Sequence, residues 1–534
     1  MSMAAPEDHA SRVDELLRIG VALSKERDIN RLLEGILVAA KRITNADGGT
    51  LYRMTDERTL RFEIMRNDSL GITMGGTSGV EIPFYPVSLF DKDGHPVNSM
   101  VAAYAVHHDC SVNVADAYTE AGFDFSGTKN FDKKTGYRSV SFLTVPMKNH
   151  EEEIIGVLQL INAKDRRSGK VLPFSAEDQH LAESLASQAA IAITNRLLIN
   201  HLETLFESFI RLINAAIDDK SPYTGGHCER VPNLTMMLAE AVNHCRTGPL
   251  RDFSLSDADR YELKIAGLLH DCGKVTTPVH VVDKATKLQT IFDRIEMIDT
   301  RFEVIKGDAE IAALRAGDTV SLASRLEAMN ADREFLRRAN VGGEFMSDAD
   351  VARVRRIASE YQWRRPDGTS GNFLSDDEVE NLTIRAGTLT SGERQIINHH
   401  IDLTIQMLEA LPWPKHLRNV PEYAGGHHER MDGKGYPKGL TREQMSVQAR
   451  CMGIADIFEA LTAKDRPYKK GKSLTESLTI LGKFKLNGHI DPDLFDVFMW
   501  EKVYEKYARQ FMDPTQIDRV EPENIPAYVP PPAN

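Results

Sequence analysis

The chain has 534 residues, of which 42% are hydrophobic and 27% are charged, and a net charge of −13. This length is too great for one hydrophobic core and predicts about three units of roughly 100–200 residues. The acidic balance disfavours binding to nucleic-acid polymers, which needs a basic surface, and no apolar run reaches the ~18 residues of a membrane span.

Two further features indicate a cytoplasmic protein. The first residues, MSMAAPEDHA, lack the basic and then apolar order of a secretory signal peptide. The five cysteines are far apart and form no CxxC pair. They therefore predict reduced thiols rather than a disulfide framework or a zinc knuckle.

The first third of the chain alternates between helical and strand-like patterns. Residues 11–45 carry apolar side chains at helical spacing and predict two helices. Short β-prone runs follow at 48–67, and again at SVSFLTVPM and EIIGVLQLI. Residues 11–196 are therefore expected to form a central antiparallel sheet flanked by helices, within a domain assigned to 1–196.

A continuous helix is predicted for 178–220, because this stretch contains neither glycine nor proline. At 1.5 Å per residue it would extend about 60 Å. Its apolar residues suggest a stripe, although their spacing is not a strict heptad. We interpret it as a connecting helix that dimerises the protein, with a plain surface helix as the alternative.

The remainder of the chain predicts an all-α domain over about 205–510, interrupted by the loop GGHHERMDGKGYPKG. The tail at 511–534 is rich in proline, so no regular structure is expected there. The predicted fold class is therefore multidomain, with an α+β domain followed by a helical bundle.

Histidines and aspartates recur along this second half in motifs such as LLHDCGKV and GIADIFEALT. An isolated buried histidine is more often structural, but together these residues make a nitrogen and oxygen ligand set for metals. The set comprises His227, His270, Asp271, His400, His427, His428 and Asp456. Two divalent ions, iron or manganese, with one bridging carboxylate suit it better than soft metals, because no cysteine accompanies it.

LLHDCGK resembles the HDxGK signature, and HHERMDGKGYP resembles the HHExxDGxGYP signature, of the HD-GYP domains. The resemblance covers residues from about 205 to 510. It implies a metal-dependent hydrolysis of cyclic di-GMP to the linear dinucleotide, and in some members onward to GMP. It also implies that the seven histidines and aspartates are the metal ligands, with His400 chosen over His399 by its distance from Leu408.

The resemblance extends to residues around the metals. Asp271 and Lys274 are the expected catalytic residues, with Lys274 placed to contact a phosphoryl oxygen. Arg466 and Lys469 in DRPYKK match positions that hold the substrate's phosphates, although a solvated basic cluster is an equal alternative.

The loop that contains Gly435, Tyr436 and Pro437 is first of all a shaped turn, since its glycines permit positive φ and its proline restricts the backbone. In the HD-GYP family this loop is linked to substrate access and to the docking of diguanylate cyclases. For this chain both roles are implied by the resemblance alone.

The chain departs from the family in two places. Members with three metals carry a glutamate four residues before the first ligand histidine, where this chain has Tyr223. A phenol is a poor ligand, so we predict two metals and the linear dinucleotide as the main product. A long insertion at about 289–388 is either a cap or dimer surface or a passive elaboration.

The segments TGYRSVSFLTVPMKN and IIGVLQLINAK resemble GAF domains, which are small-molecule sensors. Asn162, Lys164, Phe174 and Asp178 partly reproduce a signature of the members that bind cyclic nucleotides, although Ala163 interrupts it. A cyclic nucleotide, another ligand and a purely dimerising role remain open for this domain.

Two alternatives to a cyclic di-GMP phosphodiesterase remain open. The substrate could be a mixed cyclic dinucleotide such as cyclic GMP-AMP, because no residue is identifiable as a reader of the bases. The chain could also be a catalytically silent adaptor for diguanylate cyclases. Silent members usually lose metal ligands, however, and this sequence retains them all.

Overall fold

The computed structural model describes residues 6–220, 226–246, 248–318, 320–343, 345–463 and 471–531. The chain divides into two compact units, Met1–Leu205 and Phe206–Asn534. Three residues of the sequence predictions, Tyr223, Arg466 and Lys469, lie outside the described residues. Within these ranges, the search for a helix with the length and apolarity of a membrane span finds none.

The N-terminal unit is an antiparallel sheet with helices on both faces, which confirms the predicted α+β fold. Its helices are α1 (Pro6–Lys25), α2 (Ile29–Thr44), α3 (Val101–His108) and α4 (Ser126–Thr135), and α5 (Ala176–Lys220) begins in this unit. Its strands are β1 (Ala46–Met54), β2 (Thr59–Asn67), β3 (Ile72–Gly75), β4 (Val87–Ser88), β5 (Val112–Val114), β6 (Phe142–Lys148), β7 (Ile154–Lys164) and β8 (Val171–Leu172). The main sheet order is β3-β2-β1-β7-β6-β5.

Alternation along the strands separates the two faces of this sheet. Leu51 on β1 packs into the larger core, together with the buried side chains of α2 and α5. The next residue, Tyr52, belongs to a separate cluster on the other face, where Ala102 and Ala103 of α3 pack. Successive strand residues point to opposite faces, so each strand contributes to both clusters. The face that carries α3 also borders the cavity described below.

The C-terminal unit is almost entirely helical. Its helices are α6 (His227–Asn243), α7 (Asp257–Leu269), α8 (Val279–Val282), α9 (Ile295–Ala316), α10 (Val320–Asn340), α11 (Asp348–Glu360), α12 (Asp376–Leu382), α13 (Ser391–Asn398), α14 (His400–Glu409), α15 (Val420–Gly425), α16 (Val447–Thr462), α17 (Leu474–Leu486), α18 (Pro492–Trp500) and α19 (Val503–Phe511). A short hairpin of β9 (Gln362–Arg364) and β10 (Ser370–Asn372) was not expected in an all-α domain.

The long insertion contains a hydrophobic core of its own. Phe302 on α9, Leu336 on α10 and Phe373 beside the hairpin are fully buried in a cluster separate from the core that α6, α7 and α16–α19 share. A segment with its own core is a folded elaboration rather than a long loop. The described residues of this unit therefore form two distinct cores.

The proline-rich tail is more ordered than its composition predicts. Pro522–Asn524 forms a single 3-10 turn, and the following Ile525 is buried in the core of the C-terminal unit. Trp500 Nε1 donates a hydrogen bond to the carbonyl oxygen of Val529 at 2.7 Å. Tertiary contacts, rather than a regular backbone ladder, hold this segment.

Candidate metal centre and sensor cavity

Five segments of the C-terminal unit bring the predicted ligand residues together. His227 begins α6, His400 begins α14 and Asp456 lies within α16. The pair His270 and Asp271 follows the last residue of α7, and the pair His427 and His428 follows α15. Neighbouring side chains within a helix diverge by about 100°. Beyond the helix end the chain turns, and both members of each pair reach the same centre.

The first ligand group consists of His227, His270 and Asp271. His227 Nε2 lies 3.1 Å from Asp271 Oδ2 and 3.3 Å from Asp456 Oδ1. His270 Nε2 lies 3.3 Å from the same Asp271 oxygen and 3.3 Å from His227 Nε2. These nitrogen and oxygen atoms converge on one small volume, as the ligands of a single ion would.

The second ligand group consists of His400, His427 and His428. His400 Nε2 lies 3.2 Å from Asp271 Oδ1, and His427 Nε2 lies 4.0 Å from that oxygen. His428 Nδ1 lies 4.0 Å from Asp456 Oδ2. Asp271 therefore stands between the groups, with Oδ2 facing the first and Oδ1 facing the second. The adjacent His399 is 60% exposed and pairs with Asp402 instead.

The backbone fixes which ring nitrogen faces the centre. The Nδ1 atoms of His270, His400 and His427 lie 2.7, 2.5 and 2.6 Å from the carbonyl oxygens of Gly267, Ile397 and Ala424. A carbonyl only accepts, so each Nδ1 carries the proton and each Nε2 offers a lone pair, as in metal-binding histidines.

Some buried polar atoms of this centre lack a partner within the protein. Among the described residues they include Asp271 Oδ1, His400 Nε2 and His427 Nε2. Burying an unsatisfied polar atom costs about 1–3 kcal/mol, so such atoms are rare unless something else satisfies them. Imidazole nitrogens and carboxylate oxygens directed at one point fit a borderline or hard divalent cation.

The protonation states of three of these groups suit the same role. Burial lowers the pKa of His428 to about 4, and burial also holds the pKa of His427 well below its usual value. Burial alone would raise the pKa of Asp456, but its hydrogen bond with His227 holds it far below its usual range. Burial alone would lower the pKa of His227, but the surrounding carboxylates, Glu459 foremost, raise it well above its usual value. Neutral imidazoles and ionised carboxylates are the forms that bind metals, so His227 has to release a proton when a metal binds.

Glu459 orients a ligand and was missed by the sequence analysis. This buried carboxylate lies 2.5 Å from His227 Nδ1 through Oε2 and accepts a hydrogen bond from Arg230 Nε through Oε1 at 2.7 Å. Burial alone would raise its pKa, yet His227 and Arg230 lower it to about 2. A signal was present, because Glu459 is three residues after Asp456 and Arg230 is three after His227, which places each pair on one helix face.

Close packing joins the two ligand groups. A Cβ atom on Gly273 would lie 2.0 Å from the carbonyl oxygen of His400, so α14 crosses directly over this position. The amide nitrogen of Gly273 donates to Thr404 Oγ1 at 3.0 Å. Lys274 Nζ contacts Asp271 Oδ2 from the same turn. The glycine of the HDxGK-like motif therefore permits the close approach of the helix that carries His400.

The loop with Gly435, Tyr436 and Pro437 folds back beside the second ligand group. The Tyr436 ring stacks on His428, with ring centroids 4.8 Å apart and planes 26° apart. A Cβ on Gly435 would lie 2.4 Å from the amide nitrogen of Arg430, so only glycine fits there. Tyr436 and Pro437, but not Gly435, line an open groove of about 560 Å³ with residues of α13 and α14.

The N-terminal unit contains a cavity of about 640 Å³. Within the described part of this unit, none of Asn162, Lys164, Phe174 and Asp178 lines it. Asn162 Nδ2 donates to Tyr137 Oη at 2.8 Å, and Lys164 Nζ contacts Asp47 Oδ1. Tyr137 does line the cavity and donates to Asp47 at 2.5 Å. Asn162 and Lys164 thus brace a wall residue from behind.

The other two members of the partial signature also lie within the domain framework. Phe174 is buried in the larger core, and Asp178 Oδ2 accepts hydrogen bonds from the amide and hydroxyl of Ser175. Asp178 also contacts Arg12 of α1. Both residues therefore hold the start of α5 against the sheet domain.

Comparison with known proteins identifies the two kinds of domain. A family model described as GAF domain matches residues 28–193. Two models described as HD domain match residues 224–337 and 375–494. The chain therefore contains a GAF domain followed by an HD region, which confirms the domains that the resemblance implied.

Relatives with described activities match parts of the chain. The chain is 24% identical over 293 residues to 3′3′-cGAMP-specific phosphodiesterase 3 of Vibrio cholerae, covering 55% of this chain and 38% of that protein. It is 37% identical over 129 residues to the cyclic di-GMP phosphodiesterase PA4108 of Pseudomonas aeruginosa, covering 24% and 29%. It is 44% identical over 123 residues to 3′3′-cGAMP-specific phosphodiesterase 1 of Vibrio cholerae, covering 22% and 27%. The chain thus spans well under half the length of each.

Proposed function

We propose that this protein is a metal-dependent phosphodiesterase that hydrolyses a cyclic dinucleotide, with cyclic di-GMP as its substrate. The observation that carries this proposal is the position of Asp271, whose two carboxylate oxygens face two separate groups of histidines. A shared carboxylate between two ligand groups would hold two metal ions close together, which suits two-metal phosphodiester hydrolysis. The relatives that cleave cyclic di-GMP or 3′3′-cGAMP support the same reaction class.

The two ligand groups would hold two divalent ions, iron or manganese, with Asp271 shared and Asp456 completing the site. Bound divalent ions make water acidic enough to ionise near neutral pH and neutralise charge that develops on the attacked phosphate. Lys274 lies beside Asp271 and supplies a cation to a phosphoryl oxygen at the edge of this site. The Tyr436 ring over His428 offers a flat surface for a base in the adjoining groove.

The substrate and its fate form the finer part of the proposal. A tyrosine at position 223, in place of a third-metal glutamate, supports a two-metal site that stops mainly at the linear dinucleotide. Hydrolysis of cyclic di-GMP and of 3′3′-cGAMP by purified protein loaded with iron or manganese, with products separated by chromatography, tests this directly. We expect faster cleavage of cyclic di-GMP and accumulation of the linear product. Cleavage of neither substrate by fully loaded protein would contradict the activity, and faster cleavage of 3′3′-cGAMP would reassign the substrate.

We further infer that a ligand of the GAF domain regulates hydrolysis through α5, and that α5 also forms a homodimer. Exposed apolar residues recur along this helix one heptad apart at first and then, from Leu198, at alternating steps of four and three residues. They are Ile191, Leu198, Leu202, Leu205, Phe209 and Leu212. Such spacing is typical of a coiled-coil seam. Loss of response to a GAF ligand in a truncated protein beginning near Ser208 would support this coupling, whereas an equal response would place the ligand elsewhere.

A further inference from the structure

The walls of the sensor cavity are mainly aromatic and aliphatic. Of the residues that line its roughly 640 Å³, many are aromatic or aliphatic, and the aromatic ones include Phe62, Phe84, Tyr85, Phe125 and Phe131. This volume is in the range that holds a small organic ligand. Aromatic walls bind flat rings through area burial and stacking, without any requirement for charge.

The cation in the wall is already neutralised. Arg66 is the one lysine, arginine or histidine among the lining residues in the described part of the chain. Its Nη1 donates to the carbonyl oxygens of Met65 and Met74 at 3.1 Å each, and its Nη2 is paired with Glu34. The Thr77 hydroxyl, together with Arg66, holds the pKa of Glu34 below its usual value, so the pair stays ionised. An anion in the cavity would gain little from this guanidinium.

Several neutral polar groups of the wall are also engaged. Gln159 Nε2 donates to Thr144 Oγ1 at 3.0 Å, and its Oε1 accepts from Tyr52 Oη at 3.2 Å. The hydroxyl of Ser139 donates to Asp132 at 2.8 Å. Asp124, another lining residue, carries a negative charge of its own. A phosphate placed beside Arg66, Gln159 or Ser139 would lose its hydration without a compensating partner, which costs several kcal/mol.

We propose that this cavity binds an uncharged, flat aromatic or conjugated molecule rather than a cyclic nucleotide. Phe84 and Tyr85, at 44% and 93% exposure, lie in the segment that borders the cavity and would lose exposed area against such a ligand. The regulatory consequence rests on the proposed function above, because the ligand would set the rate of cyclic dinucleotide hydrolysis. The binding step itself does not depend on that activity.

Two matched pairs of probes test this chemistry on the full-length protein. The first pair is N-phenyl-1-naphthylamine, which is uncharged, and 8-anilinonaphthalene-1-sulfonate, which adds one sulfonate. The second pair is adenosine and 3′,5′-cyclic AMP. We expect saturable fluorescence of the amine probe with an affinity at least about tenfold above that of the sulfonate. Adenosine should displace the amine probe better than cyclic AMP does.

Matched variants locate the binding. Thr128 lies on α4 and lines the cavity, so Thr128→Trp fills it, whereas Lys133→Trp adds the same ring on the exposed side of that helix. We expect Thr128→Trp to weaken the amine probe at least about tenfold and Lys133→Trp to leave it unchanged. If Thr128→Trp does not fold, Phe131→Ala removes an aromatic wall instead and should weaken binding by several-fold.

Two results would overturn the proposal. One is displacement of the amine probe by cyclic AMP or cyclic GMP at lower concentration than by adenosine or guanosine. The other is probe binding that Thr128→Trp and Phe131→Ala leave unchanged. If a bound probe leaves the rate of hydrolysis unchanged, only the regulatory step is contradicted. If the protein hydrolyses no cyclic dinucleotide, the proposed enzyme activity is contradicted, but the proposal for the cavity is not.

Discussion

The metal centre and the sensor cavity are both concave sites, but they treat polar atoms in opposite ways. In the metal centre Asp271 Oδ1 and the Nε2 atoms of His400 and His427 are buried with no hydrogen-bond partner. In the sensor cavity the polar groups of Arg66 and Gln159 are paired within the protein. Unsatisfied buried atoms indicate that a ligand completes the site, and satisfied ones indicate a ligand held mainly by apolar contact. The comparison therefore predicts a metal ion for the first site and an uncharged ligand for the second.

The largest expected effect is the removal of the shared carboxylate. Asp271→Ala deletes the ligand that faces both groups, so we expect hydrolysis to fall by at least about a thousandfold and metal content to drop. Metal analysis of the purified protein, together with initial rates, measures both. Asp308→Ala is the matched control, because this exposed carboxylate lies on α9 within the insertion, outside the ligand groups and the groove. Full metal content and full activity in Asp271→Ala would remove the basis of the proposed centre.

A smaller effect on metal binding is expected from Glu459, which contacts the candidate ligand His227. Glu459→Gln keeps the size of the side chain but removes the charge that orients His227 and pairs with Arg230. Loss of such an orienting carboxylate typically weakens metal affinity by about 10–100-fold. Metal titration under chelator competition measures this, with the exposed Glu443→Gln as the control. An unchanged affinity would mean that Glu459 serves the fold alone.

The seven candidate ligand residues could be predicted from the sequence, because their residue types and their order along the chain suit metal binding. Neither the turn that brings His270 and Asp271 to one side nor the role of Glu459 was predicted, since both depend on where α7 ends and how α6 meets α16. The partial GAF signature marked residues that brace the cavity, such as Asn162, whereas the cavity walls carry no signature. In a sequence, the apolar residues of a cavity wall cannot be told from those of a hydrophobic core. Only their packing in the structure distinguishes them.

The stability of the GAF domain should depend on Asp47, a buried carboxylate that does not line the cavity. Asp47 accepts hydrogen bonds from Tyr137 and Ser69 and contacts Lys164. Asp47→Asn should destabilise this domain by about 1–3 kcal/mol. Hydrogen exchange of β1 and β7 measures the loss, while the three tryptophans, all beyond residue 360, report on the C-terminal unit as an internal control.

The stability lost in Asp47→Asn should depend on pH with a definite sign. Burial alone would raise the pKa of Asp47, but Lys164, Tyr137 and Ser69 lower it below its usual value. A lowered pKa contributes stability that is complete above the unfolded value of about 3.9 and is lost as the pH falls through the folded value. The difference between Asp47→Asn and the natural protein should therefore be constant from about pH 5 to 8 and shrink below about pH 4. A difference that grows on acidification would contradict this assignment.

The smallest expected effect is also the most direct test of the contrast between the two sites. If the sensor cavity rejects anions because Glu34 neutralises Arg66, then Glu34→Gln should give the wall an uncompensated cation. We expect the ratio of affinities for 8-anilinonaphthalene-1-sulfonate and N-phenyl-1-naphthylamine to rise by about threefold to tenfold, since a hydrogen bond to a charged group is worth about 1.5–3 kcal/mol before desolvation. Glu57→Gln removes the same charge from an exposed turn and should leave the ratio unchanged. An equal shift in both variants would mean that overall charge, rather than the pairing of one arginine, sets the selectivity of the cavity.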